Sequence, residues 1–369
     1  MTPTAHSRRY WPMDRESVYS ASLNFFLAPV QRFLEDPTVT EIMVNGSQQI
    51  YVERSGQLRA TNASFESEET LKSAVRNIAQ FVDREIDEEH PILDARLPDG
   101  SRVHAVWPPC ARQGVYLTIR KFRRDAYAIQ DFIRLGSITP GAAEFLAHAV
   151  RVRRNILISG GTGTGKTSFL NALSGAIPEN ERIVVIEDNT ELQLAQPHTL
   201  TLEARPAQSD GTVAIEIREL FRASLRMRPD RIIVGEVRGG EALDLVQSML
   251  SGHAGSLSTV HANSPRDALL RLETLSLMSE LDLPVHVARV QIASAISLVV
   301  QLERTETGAR RISRIGEQRD LDSEGRYQMT DLYHTVWQRS PSGSLQPLLM
   351  PTGERPRYFD ELPESPLLK

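Results

Sequence analysis

Residues 160–167 read Gly160-Gly161-Thr162-Gly163-Thr164-Gly165-Lys166-Thr167 and fit the phosphate-loop pattern G-x-x-x-x-G-K-[ST]. The loop follows the apolar run 155–159 and precedes a segment whose apolar residues recur at helical spacing. A strand, loop and helix in this order surround an anion with backbone N–H groups and a helix N-terminus. The stretch therefore predicts an α/β fold that binds the phosphates of a nucleotide at this loop.

The chemistry of the loop assigns roles to its residues. The glycines let the backbone curl around phosphate oxygens, Lys166 reaches the β- and γ-phosphates, and the hydroxyl of Thr167 binds Mg²⁺. A merely flexible glycine-rich turn is the alternative, but it ignores the strand before the loop and the helix after it. The predicted nucleotide-contacting residues of the loop are Gly160, Gly161, Thr162, Gly163, Thr164, Gly165, Lys166, Thr167 and Ser168.

The pattern of the remaining chain indicates two domains. Strand-like and helix-like runs alternate from residue 142 to residue 302, which favours a mainly parallel sheet flanked by helices. Earlier in the chain, a helical pattern from Leu23 to Leu34 is followed by short β-like runs. The predicted organisation is a flexible N-terminus (1–20), a smaller α+β domain (21–122), a linker (123–139), an α/β domain (140–337) and a Pro/Ser-rich tail (338–369).

Composition and charge limit the classes of function. Lys and Arg number 42 against 47 for Asp and Glu, and the formal net charge of −5 argues against a nucleic-acid ligand. No apolar run approaches the roughly 20 residues of a membrane-spanning helix, and the N-terminus lacks the apolar core of a secretory signal. Cys110 is the only cysteine, which excludes a disulfide within the chain and a cysteine-based zinc cluster. We expect a cytoplasmic protein.

Two acidic segments follow apolar runs that are typical of buried strands. Residues 183–186 lead into Glu187-Asp188, and residues 232–234 lead into Gly235-Glu236. Nucleotide hydrolases hold Mg²⁺ and orient water with carboxylates at the ends of neighbouring parallel strands, so Glu187 and Glu236 are the candidate catalytic residues. Asp188 and Glu191 either support them or serve as turn and helix-start residues. Gly235 stands where the usual pattern has Asp.

Two histidines lie at the two ends of a short predicted strand. The segment is Ser251-Gly252-His253-Ala254-Gly255-Ser256-Leu257-Ser258-Thr259-Val260-His261-Ala262-Asn263-Ser264-Pro265. Taken alone, each histidine could equally be a hydrogen-bonded structural residue.

Four segments in a fixed order resemble the secretion-superfamily ATPases of type II and type IV systems. In that family they are named Walker A (here 160–167), Asp box (186–192), atypical Walker B (228–239) and His box (251–265). The resemblance continues through 94–103 and 117–122 and covers roughly residues 21–335.

Within this superfamily the chain is most similar to the CpaF group, the motors of Tad/Flp pili. Three sequence segments carry this likeness: Val44-Asn45-Gly46, Leu97-Pro98-Asp99-Gly100-Ser101-Arg102 and Glu241-Ala242-Leu243-Asp244. Conjugative-transfer ATPases of type IV secretion share much of this sequence and are the nearest alternative.

The resemblance implies a fold, an activity and partners. The fold is a RecA-like ATPase domain with a smaller N-terminal α+β domain, assembled as a homohexameric ring with nucleotide between the two domains. Such proteins hydrolyse ATP with Mg²⁺ at the cytoplasmic face of the inner membrane. Their motion is passed to membrane platform proteins of a pilus or secretion system.

The resemblance also implies roles for individual residues. Lys166 and Thr167 hold phosphate and Mg²⁺, Glu236 serves the metal and water, and Glu187 is the water-activating carboxylate, although the division between the two glutamates stays open. His261 senses or stabilises the γ-phosphate. His253 and Gly255 are implied to lie near the same phosphate.

Arginines of the N-terminal domain are implied to face the nucleotide. A guanidinium neutralises the charge that spreads over the γ-phosphoryl oxygens during cleavage. We select Arg102 and Arg120, with Arg96 in reserve, against the alternative that each is a surface or ion-pairing arginine. Subunit contacts or ion pairs are the expected roles of a further set: Arg222, Arg226, Arg228, Arg231 and Arg238.

Two other functions compete with a secretion or pilus motor. A RecA-like nucleic-acid motor conflicts with the acidic balance and with the absence of a basic stretch interleaved with aromatic residues. A scaffold that binds nucleotide without hydrolysing it conflicts with the presence of a residue at every expected catalytic position.

Overall fold

A computed structural model describes residues 15–54, 56–122, 127–205, 213–305, 308–339 and 345–357 of the chain. The chain divides into two compact units, Met1–Arg124 and Asp125–Lys369.

The N-terminal unit is an antiparallel sheet with three helices among its described residues. Its helices are α1 (Arg15–Phe26), α2 (Ala28–Glu35) and α3 (Glu68–Phe81), and its strands are β1 (Val39–Asn45), β2 (Ile50–Arg54), β3 (Gln57–Ala60), β4 (Ile92–Arg96), β5 (Arg102–Val106) and β6 (Tyr116–Arg120). The strand order is β3-β2-β1-β6-β5-β4. Helix α3 shows why these elements form: Ser67 caps its first turn, and its apolar residues at helical spacing are buried.

The helix predicted over Leu23–Leu34 is in fact two helices. The chain turns at Leu27, and Pro29 lies in the first turn of α2. Proline lacks the N–H that a continuous helix needs at this point, so the first helix ends before it. Helix α1 begins inside the stretch 1–20 that was predicted to be flexible, whereas residues 1–14 lie outside the described residues.

The C-terminal unit contains a larger sheet with helices between its strands. Its helices are α4 (Ile129–Arg134), α5 (Pro140–Arg151), α6 (Lys166–Ser174), α7 (Ile217–Ser224), α8 (Glu241–Leu250), α9 (Pro265–Leu277) and α10 (Val285–Ala295). Its strands are β7 (Ile156–Gly160), β8 (Ile183–Glu187), β9 (Thr199–Glu203), β10 (Arg231–Val234), β11 (Leu257–Val260), β12 (Leu298–Arg304), β13 (Arg310–Leu321), β14 (Tyr327–Arg339) and β15 (Leu345–Pro351).

The order of this sheet is β15-β14-β13-β12-β7-β11-β10-β8-β9. From β12 to β9 all neighbouring strands are parallel, as the alternating pattern predicts. The three last strands extend the sheet in antiparallel fashion. Strands β7, β8, β10 and β11 are buried throughout, which explains why they read as continuous apolar runs.

The C-terminal unit extends beyond the interval 140–337 at both ends. Helix α4 lies in the predicted linker, where the buried ring of Phe132 packs 5.2 Å from the ring of Phe169. Strand β15 lies in the predicted tail and pairs with β14, and its two prolines are tolerated because it is an edge strand. Polar residues surround both α4 and β15 in the sequence, so local patterns do not show that these two elements pack against the C-terminal unit.

No helix in the described ranges is both long and apolar enough to cross a membrane. Because the central strands are parallel, their carboxyl ends meet at one edge of the sheet, where ligands of such folds bind. The phosphate loop, Gly235 and His261 follow their strands directly at that edge, and Glu187 ends β8 there.

Candidate nucleotide-binding site

The loop between β7 and α6 has a backbone that only glycine adopts easily. Gly163 and Gly165 have φ angles of 71° and 91°. A Cβ on Gly160 would lie 2.6 Å from Oγ1 of Thr164 and 2.7 Å from the carbonyl oxygen of Leu302. The glycines at these positions are therefore required by the shape of the loop.

Lys166 is buried at the start of α6 and lies across the loop. Its Nζ donates to the carbonyl oxygen of Gly161 over 3.1 Å, and the hydroxyl of Thr164 donates to the same oxygen over 2.9 Å. The same Nζ lies 3.3 Å from Nδ1 of His261. The structure thus brings the loop and the second histidine of the His segment together.

A chain of charged groups continues from His261. Its Nε2 lies 2.7 Å from Oε1 of Glu236, and Oε2 of Glu236 accepts a hydrogen bond of 2.7 Å from Arg238. Arg238 also donates to Asp188 over 2.9 Å. Arg238 is expected from the sequence to form ion pairs or subunit contacts, and the structure shows the ion pairs.

Burial and neighbouring charges shift the pKa values of His261 and Arg238. Burial lowers the pKa of His261 below its usual 6.5, and the nearby Lys166 ammonium lowers it further, while Glu236 offsets part of this change. Burial also lowers the pKa of Arg238, but its hydrogen bond to Glu236 and the acidic charges around it outweigh burial and raise that pKa overall. His261 is therefore held towards its neutral form.

Glu187 is buried at the end of β8 and is held by backbone groups. Its Oε1 accepts hydrogen bonds from the N–H groups of Glu191 and Leu192, over 3.1 and 3.2 Å. A Cβ on Gly235 would lie 2.8 Å from Cγ of Glu187. The glycine that replaces the usual Asp thus leaves room for this glutamate.

The structure does not bring His253 to the loop. His253 precedes β11 and His261 follows it, and β11 runs parallel to β7. The two histidines therefore lie towards opposite edges of the sheet. His253 lies at the edge where Asn155 precedes β7, and Gly255 there donates its N–H to Oδ1 of Asn155 over 2.7 Å.

Gly255 is packed against a buried ion pair rather than against the phosphate loop. Its carbonyl oxygen accepts a hydrogen bond of 3.2 Å from Arg231, a residue with no exposed surface, which also pairs with Glu181 over 2.5 Å. A Cβ on Gly255 would lie 2.8 Å from Nη1 of Arg231. This part of the His segment has a structural role in the C-terminal unit.

The arginines selected in the N-terminal unit form a row across its sheet. Arg96 is directly opposite Arg102, and Arg102 is directly opposite Arg120. Residues directly opposite in antiparallel strands project to the same face. The structure therefore brings the two selected arginines and the reserve together on one face.

Arg310, which no sequence motif singles out, contacts the phosphate loop. Its Nε donates to the carbonyl oxygen of Gly163 over 2.8 Å. Arg310 begins β13, which pairs with β12, and β12 pairs with β7. Its approach to the loop therefore depends on a pairing of residues far apart in the chain, which no local sequence pattern signals.

The residues at the loop fit a magnesium ion bound together with nucleotide phosphates. Mg²⁺ is usually held by one or two protein oxygens besides the phosphates and water. Oε1 of Glu236 is buried, and among the described residues it receives no well-directed hydrogen bond although His261 lies beside it. Thr167, at the start of α6, offers the second oxygen.

Comparisons with known proteins give matches over most of the chain. The family model described as type II/IV secretion system protein matches residues 26–333. A putative conjugal transfer protein of Mycobacterium tuberculosis is 36% identical over 80% of this chain and 84% of its own length. The type IV secretion system protein PtlH of Bordetella pertussis is 39% identical over 79% of this chain and 93% of its own.

One solved structure supports the fold. The ATPase DotB of Legionella pneumophila matches with a TM-score of 0.55 at 18% identity, over 82% of this chain and 81% of the other. This likeness confirms the predicted fold class, a RecA-like α/β domain with a smaller N-terminal α+β domain.

Proposed function

This chain belongs to the type II/IV secretion system protein family, and on that premise we propose that it hydrolyses ATP to power a secretion or pilus machinery. The observation that carries the proposal is the contact of Lys166 with His261 at the phosphate loop, continued by the 2.7 Å approach of His261 to Glu236. A nucleotide-binding lysine and a candidate catalytic carboxylate are thereby joined in one site.

The loop binds the phosphates, and Lys166 exchanges the Gly161 carbonyl for phosphate oxygens. Thr167 and Glu236 would hold Mg²⁺, which would supply positive charge to stabilise the transferring phosphoryl group. His261, held towards its neutral form, donates a hydrogen bond without adding a charge.

We assign the activation of water to Glu236 and a positioning role to Glu187. Glu187 is buried, and its Oε1 already accepts two backbone hydrogen bonds. Glu236 is less buried than Glu187, with a side-chain exposure of 18%. A general base must reach the proton that it takes, which favours Glu236.

The proposed assembly is a homohexamer in which Arg102 and Arg120 act on the nucleotide. This role is supported by the position of Arg102 and Arg120, which form a row with Arg96 on one face of the N-terminal sheet. Guanidinium groups in such a row can neutralise the charge of the γ-phosphoryl oxygens during cleavage. We propose a cytoplasmic location at the inner membrane, with platform proteins of the machinery as partners and no nucleic-acid ligand.

The proposal also concerns the kind of machinery that the ATPase serves. The sequence segments that resemble the CpaF group favour assembly of a Tad/Flp-type pilus. The names of the two relatives, conjugal transfer protein and type IV secretion system protein, favour the alternative of type IV secretion and conjugative transfer. Both readings use the same hydrolytic site.

Phosphate release from Mg-ATP across a protein concentration series, with mass followed by light scattering, tests this function. We expect turnover per subunit to rise as hexamers form and to be unaffected by added DNA. Lys166→Ala should bind ATP about 10- to 100-fold more weakly and show no turnover, because a charge-assisted hydrogen bond is lost. Absence of turnover in the unchanged hexamer would refute the ATPase proposal, and full turnover in a monomer would refute action of the arginines between subunits.

A further inference from the structure

The phosphate loop has different neighbours on its two sides. Strand β7 lies between β11 and β12 in the sheet. On the β11 side, His261 approaches Lys166 and Glu236. On the β12 side, Leu302 is paired with Gly160, and β12 then continues for two more residues alongside the loop.

This continuation of β12 places two arginines beside the loop. Arg304 ends β12, Arg310 begins β13, and the two are direct cross-strand partners. Direct partners in antiparallel strands project to the same face, so the hairpin concentrates two guanidinium groups at one point.

Both side chains approach the glycines at the tip of the loop. Nε of Arg310 donates to the carbonyl oxygen of Gly163 over 2.8 Å. Cδ of Arg310 lies 3.4 Å from the position of a Cβ on Gly165, and Nη1 of Arg304 lies 3.4 Å from that of a Cβ on Gly163. Two positive charges therefore lie at a loop built to bind an anion.

The backbone of Arg310 is fixed by the segment that also supports α6. The hydroxyl of the buried Ser137 donates to the carbonyl oxygen of Arg310 over 2.6 Å. The carbonyl oxygen of Ser137 accepts a hydrogen bond of 2.9 Å from the N–H of Ile312. Just before Ser137, the ring of Phe132 packs against Phe169 of α6. Because loop, helix and hairpin share one support, little ordering is needed when a ligand binds.

We infer that Arg304 and Arg310 bind the α- and β-phosphates of the nucleotide, the part that ADP and ATP share. The inference rests on the proposed nucleotide binding at this loop. Lys166, His261 and Glu236 mark the β11 side as the place of the γ-phosphate. The remainder of the phosphate chain extends from there towards the β12 side, where the two arginines lie.

Equilibrium binding of fluorescent ADP and of a non-hydrolysable ATP analogue tests this inference. Arg304→Gln and Arg310→Gln should each weaken both ligands by the same factor, about tenfold, since one charge-assisted contact is lost. Arg314→Gln is the matched control, because Arg314 lies on the same strand but pairs with Asp331 at 3.4 Å. Its affinities should stay within about twofold of those of the unchanged protein.

Two outcomes would overturn the inference. Unchanged affinity in both arginine variants would remove these residues from the site, and weakening of the ATP analogue alone would assign them to the γ-phosphate. Arg310→Lys keeps the positive charge on a shorter side chain, so it should bind both ligands more tightly than Arg310→Gln does. This variant tests the inference even if Arg310→Gln folds poorly. Failure of ATP hydrolysis with intact ADP binding would refute the proposed function and leave this inference standing.

Discussion

The side chain of Glu187 occupies the space beside Gly235 that any other residue would need. A Cβ at position 235 would lie 2.8 Å from Cγ and 3.1 Å from Oε1 of Glu187. The two positions lie at the ends of the neighbouring parallel strands β8 and β10. The absence of an acidic side chain at position 235, after β10, therefore leaves the space that the buried Glu187 of β8 occupies.

Gly235→Ala should destabilise the protein and displace Glu187. The methyl group overfills a packed site, which costs about 1–3 kcal/mol, and the displaced carboxylate loses its hydrogen bonds to the backbone of Glu191 and Leu192. Urea unfolding measures the loss of stability. Gly141→Ala is the control, because nothing lies within 4 Å of a Cβ there. Equal stability of Gly235→Ala and the unchanged protein would contradict the packing argument.

The sequence predicts those parts of the site that local patterns encode. The phosphate loop and the two glutamates follow apolar runs that are buried strands, so their position at one sheet edge could be deduced. Pairing between distant segments could not be deduced, and Arg310 reaches the loop only because β12 is the neighbour of β7.

Strand direction explains the placement of the histidines. The sequence places them at the two ends of one strand, but only His261, at the end that points the same way as the phosphate loop, lies beside Lys166. Local patterns do not reveal strand β9 or helix α10, since β9 is only partly buried and α10 buries few residues, Ala288, Ile292 and Ala295. Weak burial leaves a weak periodic pattern.

Glu236→Gln should keep ATP binding and lose turnover. The amide keeps the shape of the side chain but cannot accept a proton from water, so we expect turnover to fall by about 10²- to 10⁴-fold. Binding of a fluorescent ATP analogue and phosphate release measure the two effects separately. Glu280→Gln removes a carboxylate that is 85% exposed and should leave both unchanged. Comparable turnover in Glu236→Gln and the unchanged protein would exclude Glu236 as the base.

Loss of Glu181 should strongly destabilise the C-terminal unit. Arg231 is fully buried, and its pairing with Glu181 offsets the cost of removing its charge from water. Glu181→Ala should therefore lower the free energy of unfolding by about 3–5 kcal/mol.

A matched exposed pair separates burial from charge in this experiment. Asp320→Ala breaks the contact of Asp320 with Arg357, whose side chains are 86% and 48% exposed, and should cost at most about 1 kcal/mol. The double variant Glu181→Leu, Arg231→Met should be more stable than Glu181→Ala, because no buried charge is left unpaired. A similar small loss in Glu181→Ala and Asp320→Ala would show that the buried pair is not required.

The protonation of His261 should respond to the charge of Lys166. Burial is the first cause of its lowered pKa and Lys166 is the second, so Lys166→Ala should raise that pKa towards 6.5, whereas Lys166→Arg should keep it low. Below 6.5 the unfolded chain binds more protons at this residue than the folded protein does. The contribution of His261 to stability is therefore present above 6.5 and is lost as the pH falls towards its folded pKa. A nuclear magnetic resonance titration, with His261→Gln to assign the signal, measures the pKa in the three proteins. The same pKa in Lys166→Ala and the unchanged protein would show that Lys166 does not contribute to it.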